Sequence, residues 1–141
     1  MKRRVQRVIW IWVVAMLMCG QQALAQDEGA TADGANYIEI QPPFIANFGG
    51  SGKLKYVKTE IALRMDGTPE GAQGVRHHMP YIRHVLVMLL SRQSPESMAT
   101  SEGREALRLA ALEEVRRVLQ AEEGEQHVVD LLFNSFVVQG I

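Results

Sequence analysis

The sequence has only one cysteine, and that cysteine lies outside the part that we expect to fold. Cys19 falls within an apolar run near the N-terminus, so residues 26–141 contain no thiol. This excludes disulfide bonds, thiolate metal ligands and cysteine nucleophiles from that region. A region of 116 residues can bury enough apolar surface to fold without disulfide bonds.

No acidic residue occurs before Asp27, and basic residues do not outnumber acidic ones after it. The chain has 15 Lys and Arg against 16 Asp and Glu, but four of the basic residues lie within the first seven positions. Residues 26–141 therefore carry 11 basic and 16 acidic side chains, a net charge of −5. Phosphate binding requires a basic surface, so we exclude nucleic acid as a partner.

The N-terminal segment lacks an apolar run long enough to cross a membrane. Its apolar core, from Val8 to Cys19, has 12 residues, whereas a membrane span needs about 20. Basic residues precede this core, and Ala23 and Ala25 follow it, which is the pattern of a secretory signal peptide cleaved before Gln26. We predict a signal peptide at residues 1–25, with a short membrane anchor or lipidation of Cys19 as alternatives. Each alternative places the following domain outside the cytoplasm.

The next segment, residues 26–36, is polar and glycine-rich, as is typical of a flexible linker. Alternating apolar residues then predict strands at 37–40, 44–48 and 53–65, with two prolines separating the first two. We expect one face of the third strand to be buried. Leu54 and Tyr56 fall on the opposite face, so we predict either a bulge or a change of the covered face near Tyr56. The residues expected on the buried face are Val57, Thr59, Ile61, Leu63 and Met65.

Two helices follow the predicted strands and a loop at 66–71. Residues 75–93 have apolar positions at helical spacing, and Pro80 either begins the main helix or kinks a longer one. Residues 101–120 form the second helix, with Thr100 or Ser101 as its N-cap. Its apolar stripe consists of Leu107, Ala111, Leu112, Val115, Val118 and Leu119.

The last regular segment, residues 128–139, is a strongly apolar strand. Neither of its faces is purely polar, so we predict an inner strand with neighbours along both edges. The order of elements, β-β-β-α-α-β, predicts an α+β domain at residues 37–141. This domain would have a small, mostly antiparallel sheet with two main helices on one face.

Patterns that could support chemistry are weak in this sequence. Residues 49–53 fail as a phosphate-binding loop, because Asn47 and Leu54 occupy required motif positions and a strand follows. His77 and His84 could share a helix face, but two imidazoles without a third ligand make a poor metal site. We predict no catalytic, cofactor or metal site, and no enzyme activity. A periplasmic small-ligand or metal-binding protein is the alternative.

Several segments between residues 37 and 139 form an ordered set, although no single motif among them is unique. They are residues 37–48, 53–65, 79–83, 89–91, 100–107 and the ending 133–139, Phe-Asn-Ser-Phe-Val-Val-Gln. Together they resemble the FliL family of flagellar basal-body-associated proteins. His84 stands where the family usually has an acidic residue, and the apparent signal peptide replaces the usual membrane helix. These departures indicate a FliL-like paralogue.

The resemblance implies a non-enzymatic periplasmic domain with a fold similar to the stomatin type. It implies a homo-oligomeric ring at the flagellar basal body, near the inner membrane, with the stator proteins as partners. The expected contact is the periplasmic linker of the peptidoglycan-anchored stator subunit, in support of torque or swarming motility. We expect partner or oligomer contacts along the first helix and the long strand, at Tyr56, Pro80, Tyr81, Arg83 and Met88.

Overall fold

Three strands and four helices make up the part of the chain that the computed structural model describes, residues 36–50 and 55–140. The elements are β1 (Tyr37–Phe48), β2 (Lys55–Met65), α1 (Pro69–His77), α2 (Met79–Ser91), α3 (Pro95–Ala99), α4 (Ser101–Glu123) and β3 (Val128–Gln139). The strands form one antiparallel sheet in the order β1-β2-β3. The predicted α+β class with an antiparallel sheet is therefore confirmed.

Some of the predicted segments lie outside the described residues. These are the signal peptide at 1–25, the linker up to residue 35, and residues 51–54, which include the start of the predicted third strand. Within the described residues, none of the helices combines the length and apolar character that a membrane span requires.

The core lies between one face of the sheet and the helices. Helix α2 packs against β1, and α4 packs against β3 and α2. The predicted face of β2 is confirmed, since Val57, Thr59, Ile61, Leu63 and Met65 are all buried. The predicted stripe of α4 is also confirmed, since Leu107, Ala111, Leu112, Val115, Val118 and Leu119 are all buried.

Strand β1 is one continuous strand, so the prediction of two short strands is wrong. Ile40 pairs with Ile61 and Phe44 pairs with Thr59, so three residues of β1 lie opposite the single residue Glu60. The two prolines fall within this irregular stretch, where they need not donate ladder hydrogen bonds. Pairing resumes in the same phase, and both Ile40 and Phe44 face the core.

The predicted bulge near Tyr56 is absent. Tyr56 pairs in register with Asn47 on one side and with Gln139 on the other. Its hydroxyl donates a hydrogen bond to the side-chain oxygen of Gln139. Leu54, whose parity motivated the prediction, lies outside the described residues.

The predicted first helix is two helices, separated at His78. Helix α1 begins at Pro69, within the predicted loop, because Thr68 caps it by accepting a hydrogen bond from the Gly71 N–H at 3.2 Å. Helix α2 has Pro80 in its first turn, which confirms the alternative in which this proline begins the main helix.

Helix α4 begins at the predicted cap, because Thr100 accepts a hydrogen bond from the Gly103 N–H at 3.0 Å. The short helix α3 before it was not predicted. Helix α3 buries Met98 and lies so close to α4 that a side chain at Gly103 would overlap the backbone of Ser97.

Strand β3 lies at the edge of the sheet, so the prediction of an inner strand is wrong. The register against β2 shifts twice, because Val129 and Asn134 have no partner residue on β2. Each extra residue reverses which face the following residues occupy. Apolar residues of both parities therefore reach the core side: Val128, Leu131, Phe133, Phe136 and Val138. The mixed pattern reflects two changes of phase, and not burial between two neighbouring strands.

Candidate interaction surfaces

Helix α2 exposes apolar side chains on the face that points away from the core. Ile82, Leu86 and Leu90 are buried against the sheet and α4. Tyr81 and Met88 lie on the opposite side and are 48% and 40% exposed. His84 is exposed between them at helical spacing. Tyr81, His84 and Met88 form a surface that we call the α2 face.

Arg83, another predicted interface residue, binds within its own domain. Its Nη1 donates a hydrogen bond to the Pro42 carbonyl at 2.7 Å. Its guanidinium also lies 4.3 Å from the centre of the Phe44 ring, within the range of a cation–π contact. Arg83 therefore joins α2 to the irregular stretch of β1.

The structure brings four of the five predicted interface residues together on α2, and Pro80 is one of them. Tyr56 is separate from them. It belongs to the face of β2 opposite the buried residues, and α2 packs on the buried side.

Exposed apolar residues on the two edge strands were missed by the sequence reasoning. Ile45 is 66% exposed on β1, and Val137 is 47% exposed on β3. Their alternation with buried neighbours was visible in the sequence, but the alternation does not show that both strands lie at edges. Whether a strand lies at an edge depends on its pairing with distant segments, and the local sequence does not show this pairing.

Two arginines of α4 reach the backbone of β3. Arg116 donates to the carbonyls of Val128 and Val129 at 2.9 and 2.8 Å. Arg108 donates to the Leu131 carbonyl at 3.1 Å and to the Asp130 carboxylate at 2.5 Å. These contacts occupy carbonyls along the first part of the edge strand.

The charges around Arg108 support one another. Its guanidinium donates to both carboxylate oxygens of Glu105, at 2.8 and 2.7 Å. Hydrogen bonding to Glu105, with Asp130 adding to it, raises the pKa of Arg108. Burial alone would raise the pKa of Asp130, but the Leu131 N–H and Arg108 together lower it. The three side chains therefore stay ionised and hold α4 to β3.

A recess opens beside this network, between the start of α4 and the middle of β3. Its volume is about 350 Å³. Leu132, Phe133 and Phe136 form its apolar lining, and the rings of Phe133 and Phe136 lie 5.1 Å apart. The polar lining comes from α4 and consists of Ser101, Arg104, Glu105 and Arg108.

A second polar cluster joins the loop before α1 to the start of β3. The Nδ1 atom of His127 lies 2.8 Å from an oxygen of Asp66 and 3.2 Å from the Thr68 hydroxyl. The other ring nitrogen lies 3.2 Å from Glu125. Hydrogen bonds from Thr68, together with His127, lower the pKa of Asp66 to about 2. The hydrogen bond to Asp66 raises the pKa of His127, and Glu125 and Glu70 add to this shift.

This cluster predicts a pH-dependent contribution to stability. The His127 contribution is fully present below the ordinary pKa of 6.5 and is lost as the pH rises through the raised pKa. The Asp66 contribution is present above 3.8 and is lost as the pH falls towards 2. We expect His127→Asn to lower the Tm at about pH 5.5 by more than at about pH 9, because only the charged imidazole is fully paired. Asparagine also tolerates the positive φ of 45° at this position.

Thermal unfolding followed by circular dichroism at the two pH values measures this difference. The control is Asp66→Asn, alone and combined with His127→Asn. The combined variant should lose little more than either single variant, because both residues belong to one pair. An equal loss of Tm at both pH values would contradict the assignment.

The described residues show neither a metal cluster nor an unpaired buried polar side chain. Within residues 36–50 and 55–140, no group of three His, Cys, Asp or Glu could hold an ion. In the same residues, every buried side-chain polar atom has a hydrogen-bond partner. His77 lies at the end of α1 and packs against His78, whereas His84 lies on α2. The two histidines considered as ligands therefore belong to different helices.

Comparison with known proteins finds one family whose extent coincides with the folded elements. The model of that family, described as flagellar basal body-associated protein FliL, matches residues 37–139. The chain belongs to the FliL family. The FliL match begins with the first residue of β1 and ends with the last residue of β3, so it covers every described helix and strand.

Two flagellar FliL proteins show how distant the relatives are. The FliL protein of Aquifex aeolicus is 29% identical over 101 residues, which cover 72% of this chain and 60% of that protein. The FliL protein of Escherichia coli K12 is 23% identical over 139 residues, which cover 94% of this chain and 88% of that protein. The matched region thus spans less than two-thirds of the Aquifex protein.

Proposed function

We propose that this FliL-family protein is a non-enzymatic structural and regulatory component of the bacterial flagellar motor. It acts in the periplasm near the inner membrane, forms homo-oligomers and associates with the stator units. The partner is the periplasmic linker of the peptidoglycan-anchored stator subunit, and the association supports torque or swarming motility. The observation that carries this proposal is the FliL match across the whole folded domain.

The surfaces of the domain support a role in binding other proteins. Tyr81 and Met88 remain exposed although α2 already buries another apolar side in the core. Ile45 and Val137 add exposed apolar area on the two edge strands. Exposed aromatic and methionine side chains are enriched where proteins contact one another.

We further propose that residues 1–25 direct export and are then removed by cleavage between Ala25 and Gln26, and that residues 26–36 form a flexible linker before the domain. Retention of residues 1–25 as a short anchor is the alternative, and both place the domain outside the cytoplasm. Mass spectrometry of the purified protein distinguishes the two, because cleavage makes Gln26 the first residue. We also propose that the domain resembles the stomatin-type fold.

The proposal is tested in a strain whose chromosomal gene is deleted or carries Tyr81→Ala with Met88→Ala. We expect deletion to reduce motility under viscous load, and we expect stator proteins to co-purify with the unaltered protein. The double variant should reduce co-purification several-fold, because contact side chains on the α2 face are lost. It should change the free energy of unfolding by less than about 0.5 kcal/mol, because both side chains are exposed.

The matched control is Leu109→Ala, since Leu109 is 48% exposed but belongs to α4 and not to the α2 face. This variant should leave co-purification unchanged. Unchanged motility under load after deletion, together with no stator protein in the purified material, would refute the proposed function. Loss of co-purification in the Leu109 variant as well would refute only the assignment to the α2 face.

A further inference from the structure

The open edge of β3 is closed along its first part only. Carbonyls of Val128, Val129 and Leu131 accept hydrogen bonds from Arg108 and Arg116. Beyond Leu131, no described strand lies on that side of β3. Residues 131–139 also contain no lysine, proline or other residue that usually protects an edge strand from pairing.

In this part of β3, the backbone N–H and C=O groups of alternate paired residues point away from β2, towards the open edge. Leu131 donates its N–H to Asp130 and accepts from Arg108, so neither group bonds to β2. Leu131 pairs with Leu63 of β2, and pairs in an antiparallel ladder alternate between bonded and non-bonded. The residues opposite Ile61, Thr59 and Val57 therefore also point outwards. These residues are Phe133, Phe136 and Val138.

The side chains in the same segment have a two-fold symmetric order. Residues 131–138 read Leu-Leu-Phe-Asn-Ser-Phe-Val-Val: two aliphatic residues, an aromatic, two polar residues, an aromatic and two aliphatic residues. Antiparallel pairing of this segment with itself, centred between Asn134 and Ser135, puts Asn134 opposite Ser135. It also places Phe133 opposite Phe136 and Leu132 opposite Val137.

The bulge at Asn134 is what makes this register possible. In a regular strand, Phe133 and Phe136 would point to opposite faces, because they are three residues apart. The extra residue puts both on the core side, next to the recess, while Leu132 and Val137 lie on the outer side. Each proposed pair therefore joins residues of the same face. Self-pairing brings no like charges together, because residues 131–139 carry none.

We propose that two copies of this chain pair through residues 132–137 of β3 across a two-fold axis. The contact joins two three-stranded sheets into one six-stranded sheet, and Phe133 and Phe136 of each copy exchange backbone hydrogen bonds with those of the other. The rings of the second copy then cover the apolar lining of the recess. The contact rests on the homo-oligomerisation in the proposed function and specifies one of its surfaces. It is isologous, so a ring would require a second, different contact between such pairs.

The test is sedimentation velocity of the full chain from about 1 µM to about 200 µM, a range that resolves micromolar association. We expect a dimer, or an assembly built from dimers, in the unaltered protein. Asn134→Lys should weaken the association roughly tenfold or more, because two lysines then lie close across the axis. Ser135→Glu should weaken it similarly, with two carboxylates in place of the lysines.

The decisive experiment is sedimentation velocity of an equimolar mixture of Asn134→Lys and Ser135→Glu. In the mixed dimer, Lys at position 134 of one copy faces Glu at position 135 of the other, so association should return to within about threefold of the unaltered protein. The matched control is Asn47→Lys, an exposed asparagine on the opposite edge strand, which should associate normally. Circular dichroism confirms that each variant is folded.

A monomer at every concentration would overturn the proposal, as would association that neither single variant weakens. Weakened association that mixing does not restore would also overturn it. These outcomes are independent of the motility assay. If the protein is monomeric but still co-purifies with stator proteins, only the β3 contact is refuted. If the protein dimerises but deletion of its gene causes no motility defect, only the flagellar role is refuted.

Discussion

Replacing Phe44 with alanine should lower the free energy of unfolding by about 3–5 kcal/mol. The Phe44 ring is completely buried, at the point where β1 resumes pairing after its irregular stretch. Its removal leaves a cavity between β1 and α2 and takes away the ring beneath the Arg83 guanidinium. The effect is large because a core packed against a single three-stranded sheet has few ways to collapse around the cavity. Urea unfolding followed by circular dichroism measures the loss.

The next residue provides the control for this prediction. Ile45 points to the opposite face and is 66% exposed, so Ile45→Ala should change the free energy of unfolding by less than about 0.5 kcal/mol. A loss below about 1 kcal/mol for Phe44→Ala would mean that the ring does not pack in the core. Equal losses for the two variants would mean that β1 has a different phase from the one described.

The second large effect is expected at the contact between α3 and α4. A Cβ atom on Gly103 would overlap the Ser97 carbonyl group, with the carbonyl carbon at 2.7 Å and the Cα atom at 2.8 Å. Because these are backbone atoms, no rotamer change relieves the overlap, and α3 must move and expose Met98. Gly103→Ala should therefore lower the free energy of unfolding by about 2–3 kcal/mol. Alanine favours a helix by about 1 kcal/mol over glycine, which offsets only part of the loss.

Ser101→Ala is the control for the Gly103 variant, because Ser101 is exposed in the same turn of α4. It should alter the free energy of unfolding by less than about 0.5 kcal/mol. Chemical denaturation measures the free energy of unfolding of both variants. An unaltered or higher stability in Gly103→Ala would show that the two helices are not in backbone contact.

The sequence predicted those parts of the fold that depend on local periodicity. The burial of β2 follows from clean alternation between Val57 and Met65, and the burial of α4 follows from a regular helical stripe. The cap at Thr100 was also predictable, because a hydroxyl side chain directly precedes the helix. The break at His78 was half predicted, since Pro80 allowed either a start or a kink, and the context of α1 decided between them.

The position of β3 could not be derived from its own sequence. Apolar residues on both parities normally indicate burial on two sides, but two unpaired residues produce the same pattern on an edge strand. Bulges are set by pairing with β2, which lies about seventy residues earlier in the chain. The polar cluster was missed for the same reason, because Asp66 and His127 are 61 positions apart.

The extra residue at Asn134 has a consequence for how this strand can change over time. Because Asn134 has no partner on β2, losing it would leave Phe133, Ser135 and Phe136 in regular alternation, and every later residue would keep its present face. Losing one further residue, Ser135, would reverse the phase, so that Phe136 and Val138 would turn towards solvent. Loss of Asn134 alone should therefore survive selection, whereas a second loss in this part of the strand requires a compensating change in β2.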